Sequence, residues 1–192
     1  GQLLIDSNYP FIAIQSKLTE QYCSYFHIKS KSIITGPLTW GKNFAPQNNL
    51  REKLAISSEK KIILHAGSSK YRNFARFFMY ETPAEYLQSI IDIIEAIRGN
   101  DQLHLIIKFR PNATLTLRDL IYCLPKSANY TISVEESFLD VVKICNLLIS
   151  FSSTTMEEAL ECNKPVLQYG GAGRMSFLPS YEISDPSHSI PR

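Results

Sequence analysis

Five times along this chain a short apolar run gives way to a turn and then to a stretch with helical spacing. The runs are residues 61–65, 103–109, 130–133, 147–151 and 165–169, mostly rich in Ile, Leu and Val with little polar alternation. Strands of that kind need cover on both faces, the condition of a parallel sheet between helical layers. Repeated β-α units predict an α/β fold: a Rossmann-like, doubly wound parallel sheet in three layers, α/β/α, with strand order 3-2-1-4-5.

The clearest helix covers residues 83–98, where Tyr86, Leu87, Ile90, Ile91, Ile94 and Ile97 recur at three- and four-residue steps. Thr82 and Glu85 have capping-box spacing, with Pro83 at the first helical position. A second helix is expected from Ser137, with Asp140 three residues on and Phe138, Val141, Val142 and Ile144 on its buried side. A third is expected from near Thr154.

The first forty-odd residues read differently. An apolar run at 11–14, a helix-like segment at 18–26 and a run at 32–35 end in Gly36-Pro37, and residues 40–49 are an Asn-, Gly- and Pro-rich connector. A boundary near 45 follows, unless these residues add another β-α unit to the same sheet.

Composition narrows the function. With 20 Lys and Arg against 18 Asp and Glu, the net charge is +2, too balanced for nucleic-acid binding through bulk electrostatics. Cys23, Cys123, Cys145 and Cys162 form neither a C-x-x-C pair nor a dense disulfide framework, which favours a reducing, cytoplasmic setting. No apolar run reaches the roughly 18 residues that span a bilayer. His27, His104 and His188 lack ligand spacing, so no metal site is expected, and no cofactor either. A P-loop lysine and a G-x-G-x-x-G run are both lacking, against an NTPase and a simple nicotinamide dehydrogenase. The chain starts at Gly rather than Met and stops at Ser-Ile-Pro-Arg, which reads as a piece of a longer polypeptide.

In open α/β sheets ligands bind beyond the carboxyl ends of the strands where strand order reverses. With 3-2-1-4-5 order the loops there are Gly67-Ser68-Ser69 and Ser150-Phe151-Ser152-Ser153-Thr154-Thr155, small and rich in hydroxyls. The second leads into a helix whose free N–H groups suit an anion. Thr154 with Glu157 has capping-box spacing, which by itself accounts for one hydroxyl and one carboxylate but not for Ser152, Ser153, Thr155 or Glu158. Glu158 is placed to accept from ribose hydroxyls. Lys108 and Arg110 close the second strand, as phosphate ligands or as solvated charges. His65 beside Gly67 reads as structural more readily than catalytic. Gly170-Gly171-Ala172-Gly173-Arg174 is a plain turn or a lip that brings Arg174 over a ligand.

Residues 147–160, LLISFSSTTMEEAL, followed by Asn163-Lys164-Pro165-Val166-Leu167, resemble the donor-binding signature of GT-B glycosyltransferases, with related forms in CDP-glycerol transferases and UDP-GlcNAc 2-epimerases. Residues 108–111 are similar to the Lys-x-His-Pro element of that group, with Arg110 in place of His. Ile34-Thr35-Gly36-Pro37 resembles the Thr-Gly-Pro that precedes the C-terminal domain of many members. Phe151 and Ser153 stand where the epimerases carry Asp and Gly. The resemblance implies that residues 46–192 bind a UDP-, CDP- or GDP-linked sugar and that 1–45 end an N-terminal acceptor-side domain. It also implies a glycan or lipid-linked acceptor, a general base outside this chain, and a place at the inner face of the membrane through the longer protein. Gly67, Ser68, Ser69, Lys108, Arg110, Ser152, Ser153, Thr154, Thr155, Glu158 and Arg174 are the expected ligand-binding residues, with the nucleobase near 133–135.

Overall fold

The computed structural model describes residues 9–36, 49–69, 81–112, 115–127, 129–151 and 153–170. The chain divides into two compact units, residues 1–43 and 44–192.

The first unit holds β1 (Phe11–Ile14), α1 (Lys17–Tyr25) and β2 (Lys31–Ile34), with the two strands parallel and Phe11 level with Lys31, Ala13 with Ile33. Ile14 and Cys23 are buried, and Ser32 Oγ donates to Glu20 on α1 at 3.4 Å. On the other face of this pair Phe11, Ala13, Lys31 and Ile33 are all exposed.

The second unit begins with the short helix α2 (Leu50–Lys53) and continues as β3 (Lys61–Ala66), α3 (Pro83–Ala96), β4 (Leu103–Lys108), α4 (Leu117–Cys123), β5 (Tyr130–Ser133), α5 (Phe138–Ile144), β6 (Leu147–Ser150), α6 (Thr155–Glu161) and β7 (Val166–Gln168). Its five strands form one all-parallel sheet in the order β5-β4-β3-β6-β7, the expected 3-2-1-4-5 topology. Side chains alternate across it and build one core on each face. Ile62, Leu64, Ala66, Ile106, Leu148 and Val166 pack against α2, α5 and α6; Leu105, Ile107 and Ile149 pack against α3 and α4. Each fully buried Leu or Ile contributes about 1.5–3 kcal/mol, and a sheet with both faces so covered needs the unbroken apolar strands seen in the sequence.

Local chemistry fixes the element ends. Thr82 and Glu85 form the expected reciprocal capping box on α3, and Pro83 occupies its first turn. Ser137 Oγ accepts from Asp140 N–H at 3.4 Å and starts α5. The sequence pattern left α4 unassigned; Thr116 and Asp119 cap it reciprocally. Arg51 donates from one guanidinium nitrogen to the carbonyls of Ser57, Ser58 and Lys60, holding the approach to β3. Among the described residues no helix is long and apolar enough to cross a membrane.

Candidate functional site

The strand order puts β3 between β4 and β6, so Gly67, Ser68, Ser69, Lys108, Arg110, Ser153, Thr154 and Thr155 gather beyond the carboxyl ends of three neighbouring strands. Ser152, Gly171, Ala172, Gly173 and Arg174 lie outside the described residues, as does the connector from Trp40 to residue 48.

The loop after β3 is tied to the loop after β4. Ser68 is exposed, whereas Ser69 is buried and accepts from Asn112 Nδ2 at both its carbonyl (3.3 Å) and its hydroxyl (3.4 Å). Asn112 also accepts from Leu115 N–H at 3.1 Å and faces it in an isolated β-bridge. It was not among the sequence candidates; the only hint was an Asn just past a strand-ending Pro.

The two cations at the end of β4 do different things. Lys108 Nζ donates to the carbonyl of Val134 at 2.6 Å, beyond the neighbouring strand β5. Half-burial lowers its pKa, against which the Glu136 carboxylate acts to raise it. Its ammonium is therefore already bonded within the protein. Arg110 is exposed and has no ion-pair partner among the described residues.

The expected nucleobase position at 133–135 holds a closed network. Ser133, almost fully buried, donates from Oγ to Glu136 Oε2 at 2.6 Å, and Glu136 Oε1 meets Lys53 Nζ at 3.0 Å. The Ser133 hydroxyl, then Lys53, hold the Glu136 carboxyl down to about 2 despite its burial.

At the end of β6 the expected capping box is absent. Thr154 has helical backbone angles (φ −60°, ψ −14°) and makes no side-chain cap, because a capping hydroxyl needs extended backbone to reach the next turn. Ser153 Oγ instead accepts from Thr155 N–H at 3.3 Å. Ser150 Oγ and Thr155 Oγ1 are buried with no hydrogen-bond partner among the described residues. Such orphans cost about 1–3 kcal/mol each, and native structures tolerate few of them. Glu158 is half-buried in the first turn of α6 and lies near Cys162, whose thiol is pushed up by burial, then Glu161, and to a smaller degree Glu158. Tyr169 OH donates to Asp92 Oδ2 at 2.6 Å and Gln168 Nε2 to the Phe151 carbonyl at 2.9 Å, fixing β7 to α3 and to β6. Among the described residues no three His, Cys, Asp or Glu side chains group as metal ligands would.

On the α3 face, beneath Gly67, His65 is wholly buried, its imidazole held down to about 4 by desolvation. Its ring lies 5.3 Å from that of Tyr86, centroid to centroid. Burial, then the Glu81 charge, push the Tyr86 phenol above its ordinary range. Neither His65 Nδ1 nor Tyr86 OH has a hydrogen-bond partner among the described residues.

No family model and no curated protein matches the sequence. Solved structures match in fold. Sucrose-phosphate synthase from Thermosynechococcus elongatus is 16% identical with a TM-score of 0.53, covering 86% of this chain and 41% of that one. The pneumococcal O-GlcNAc transferase GtfA, solved with UDP and GlcNAc, is 12% identical with a TM-score of 0.53, covering 94% of this chain and 36% of its own. A Listeria monocytogenes protein assigned as a UDP-N-acetylglucosamine 2-epimerase is 15% identical with a TM-score of 0.51, covering 80% and 40%. The chain thus spans about two fifths of the length of the structures it matches. The α/β fold is shared with GT-B glycosyltransferases and UDP-GlcNAc 2-epimerases and corresponds to one domain of such proteins.

Proposed function

We propose that this chain carries the nucleotide-sugar-binding half of a metal-independent GT-B glycosyltransferase of surface-glycan assembly. Residues 46–192 form that half and residues 1–45 the end of an acceptor-side domain. The observation that carries the reading is the strand order. It brings the hydroxyl-rich segments 67–69 and 153–155, which follow the adjacent strands β3 and β6, to the reversal point of a parallel sheet, where nucleotides bind in such folds. The fold likeness to UDP-sugar proteins supports it.

In this reading the sugar leaves a nucleoside diphosphate on which negative charge grows, and stabilising that charge lowers the barrier. Arg110, exposed and without an ion-pair partner among the described residues, offers a planar fork to the phosphates. Ser153, Thr154 and Thr155 supply amides and hydroxyls from the β6 side, with Ser152; Gly67, Ser68 and Ser69 line the β3 side. Glu158 accepts from the ribose, the base lies against 133–135, and Arg174 closes over the ligand. Lys108 acts from behind by holding the Val134 carbonyl at the wall of the base position. The base that activates an acceptor hydroxyl comes from outside this chain, so the chain binds nucleotide without turning it over. The acceptor is a glycan or a lipid-linked acceptor, bound through the N-terminal domain and met from the cytoplasmic side of a membrane.

Calorimetric titration of the chain with UDP, CDP and GDP tests the proposal. Binding of at least one is expected, and no binding by any at millimolar concentration refutes it. The likeness to the Listeria protein favours a 2-epimerase as the second reading, although Phe151 and Ser153 replace the Asp and Gly of that resemblance. Conversion of UDP-GlcNAc by the longer protein would decide for it. A binding module that lost the site would show no nucleotide-dependent rise in Tm.

A further inference from the structure

Four polar side chains meet behind residues 133–136, the bend that leads from β5 into α5. Lys108 is level with Ser133 across the β4–β5 pairing and with Ala66 across the β3–β4 pairing, so it leaves the sheet on the face that α2 and α5 cover. Its Nζ donates to the Val134 carbonyl at 2.6 Å and lies 3.5 Å from the Ser133 carbonyl, which also accepts from Phe109 N–H at 2.9 Å. Glu136 closes the bend from the other side. Its Oε2 accepts from Ser133 Oγ at 2.6 Å, and its Oε1 meets Lys53 Nζ of α2 at 3.0 Å.

Two ammonium groups therefore share the neighbourhood of one carboxylate, and they divide their work. The Glu136 side chain is only 10% exposed, and the cation it pairs with is Lys53, itself 57% exposed. Lys108 feels the Glu136 charge, which favours its protonated form, yet it spends its bond on the Val134 carbonyl. A nearly buried carboxylate is costly without a cation, and an ionised acceptor binds an ammonium more strongly than a peptide carbonyl does. The division holds only while Glu136 has a cation of its own.

We infer that Lys53 is a positioning residue for this wall of the crevice: by pairing with Glu136 it keeps that carboxylate from drawing the Lys108 ammonium off the Val134 carbonyl. Lys53 lies some eighty residues before the bend in sequence and acts on Val134 only through Glu136 and Lys108. For its effect on ligand the inference rests on the proposed nucleotide site. With a base against 133–135, a displaced Val134 weakens the nucleoside diphosphate and leaves pyrophosphate, which has no base, unaffected.

Two measurements keep the inference and that proposed site apart. In the chain without nucleotide, NMR of the Lys108 ammonium and the Val134 amide reads the bond directly. Lys53→Met should shift both signals, Lys53→Arg should not, and adding Glu136→Gln to Lys53→Met should return them, since a neutral amide no longer competes for Lys108. Glu136→Ala serves if the Gln pair does not fold. By calorimetry, Lys53→Met should weaken whichever of UDP, CDP and GDP binds the unmodified chain by about tenfold, and the double variant should regain most of that loss. The inference is overturned if Lys53→Met leaves the Lys108 and Val134 signals in place, if the double variant stays as perturbed as Lys53→Met, which would make the ion pair a simple brace, or if nucleotide and pyrophosphate weaken equally. No binding of any of the three nucleotides to the unmodified chain removes the nucleotide site instead, and the NMR comparison then decides the inference alone.

Discussion

Gly170, which ends the described chain beyond β7, is buried and has no room for a side chain. A Cβ placed there would lie 2.3, 2.6 and 2.9 Å from Cδ2, Cγ and Cε2 of Phe151. Carbon atoms rest at about 3.5–4.0 Å, so the ring or the backbone would have to move by roughly 1 Å or more. Neither is loose. Phe151 is almost wholly buried, its carbonyl is held by Gln168 Nε2, and Tyr169 N–H donates to the Ser150 carbonyl at 3.1 Å. Overpacking of this kind costs about 1–3 kcal/mol. Set against it is the entropy that Ala removes from the unfolded chain, about 0.4–1 kcal/mol. Gly170→Ala is therefore expected to destabilise by about 1–2 kcal/mol, the difference between those two figures. Urea unfolding followed by circular dichroism should show a lower midpoint at unchanged slope. The decisive comparison is the double mutant. In a Phe151→Leu background, itself less stable, the added methyl should cost little or become slightly stabilising. If Gly170→Ala costs the same in both backgrounds, or nothing in the first, the contact does not govern this corner and the argument fails.

Other expectations concern the crevice. Arg110→Ala should weaken UDP and pyrophosphate alike, by about tenfold for a lost charge-assisted contact, as calorimetry would show; unchanged affinity assigns Arg110 to solvent. Glu158→Ala should weaken UDP far more than pyrophosphate, and equal losses would remove the ribose role. Lys108→Met should lower stability by about 1–2 kcal/mol by leaving a carbonyl unbonded, with the midpoint of urea unfolding as the measure. Ser133→Ala removes the largest cause holding the Glu136 carboxyl down. Because a depressed carboxyl stabilises the fold above its unfolded value of 4.5 and that support is lost as pH falls toward about 2, the variant should lose its acid-sensitive stability at higher pH, seen by carboxyl NMR titration.

The parts that the sequence announces are those whose cause is local or periodic. Ile62, Leu64, Ile106 and Leu148 lie in continuous apolar runs because both sheet faces are covered, and Thr82-Pro83-Ala84-Glu85 carries its helix start within four residues. α4 escaped because it is only seven residues long, although Leu117, Leu120, Ile121 and Leu124 step at helical spacing and Thr116 and Asp119 advertise the cap. The site was legible in position more than in partnership. Lys108 reads as a ligand cation until the end of β5, brought alongside by the sheet, supplies the Val134 carbonyl. Thr154 reads as a cap until its backbone turns helical one residue early. The pairing of His65 with Tyr86 joins a strand to a helix across an intervening loop, and no spacing rule encodes it.

The exposed side of the β1–β2 pair sets apolar side chains and one charge next to each other. Phe11, Ala13 and Ile33 meet water there as a hydrocarbon strip, interrupted by the ammonium of Lys31 at the level of Phe11. A lone lysine in such a place is a guard against sticking, since a neighbouring molecule would have to strip its hydration before docking. Without it the strip would run unbroken from one strand to the other, and that small patch would become more adhesive.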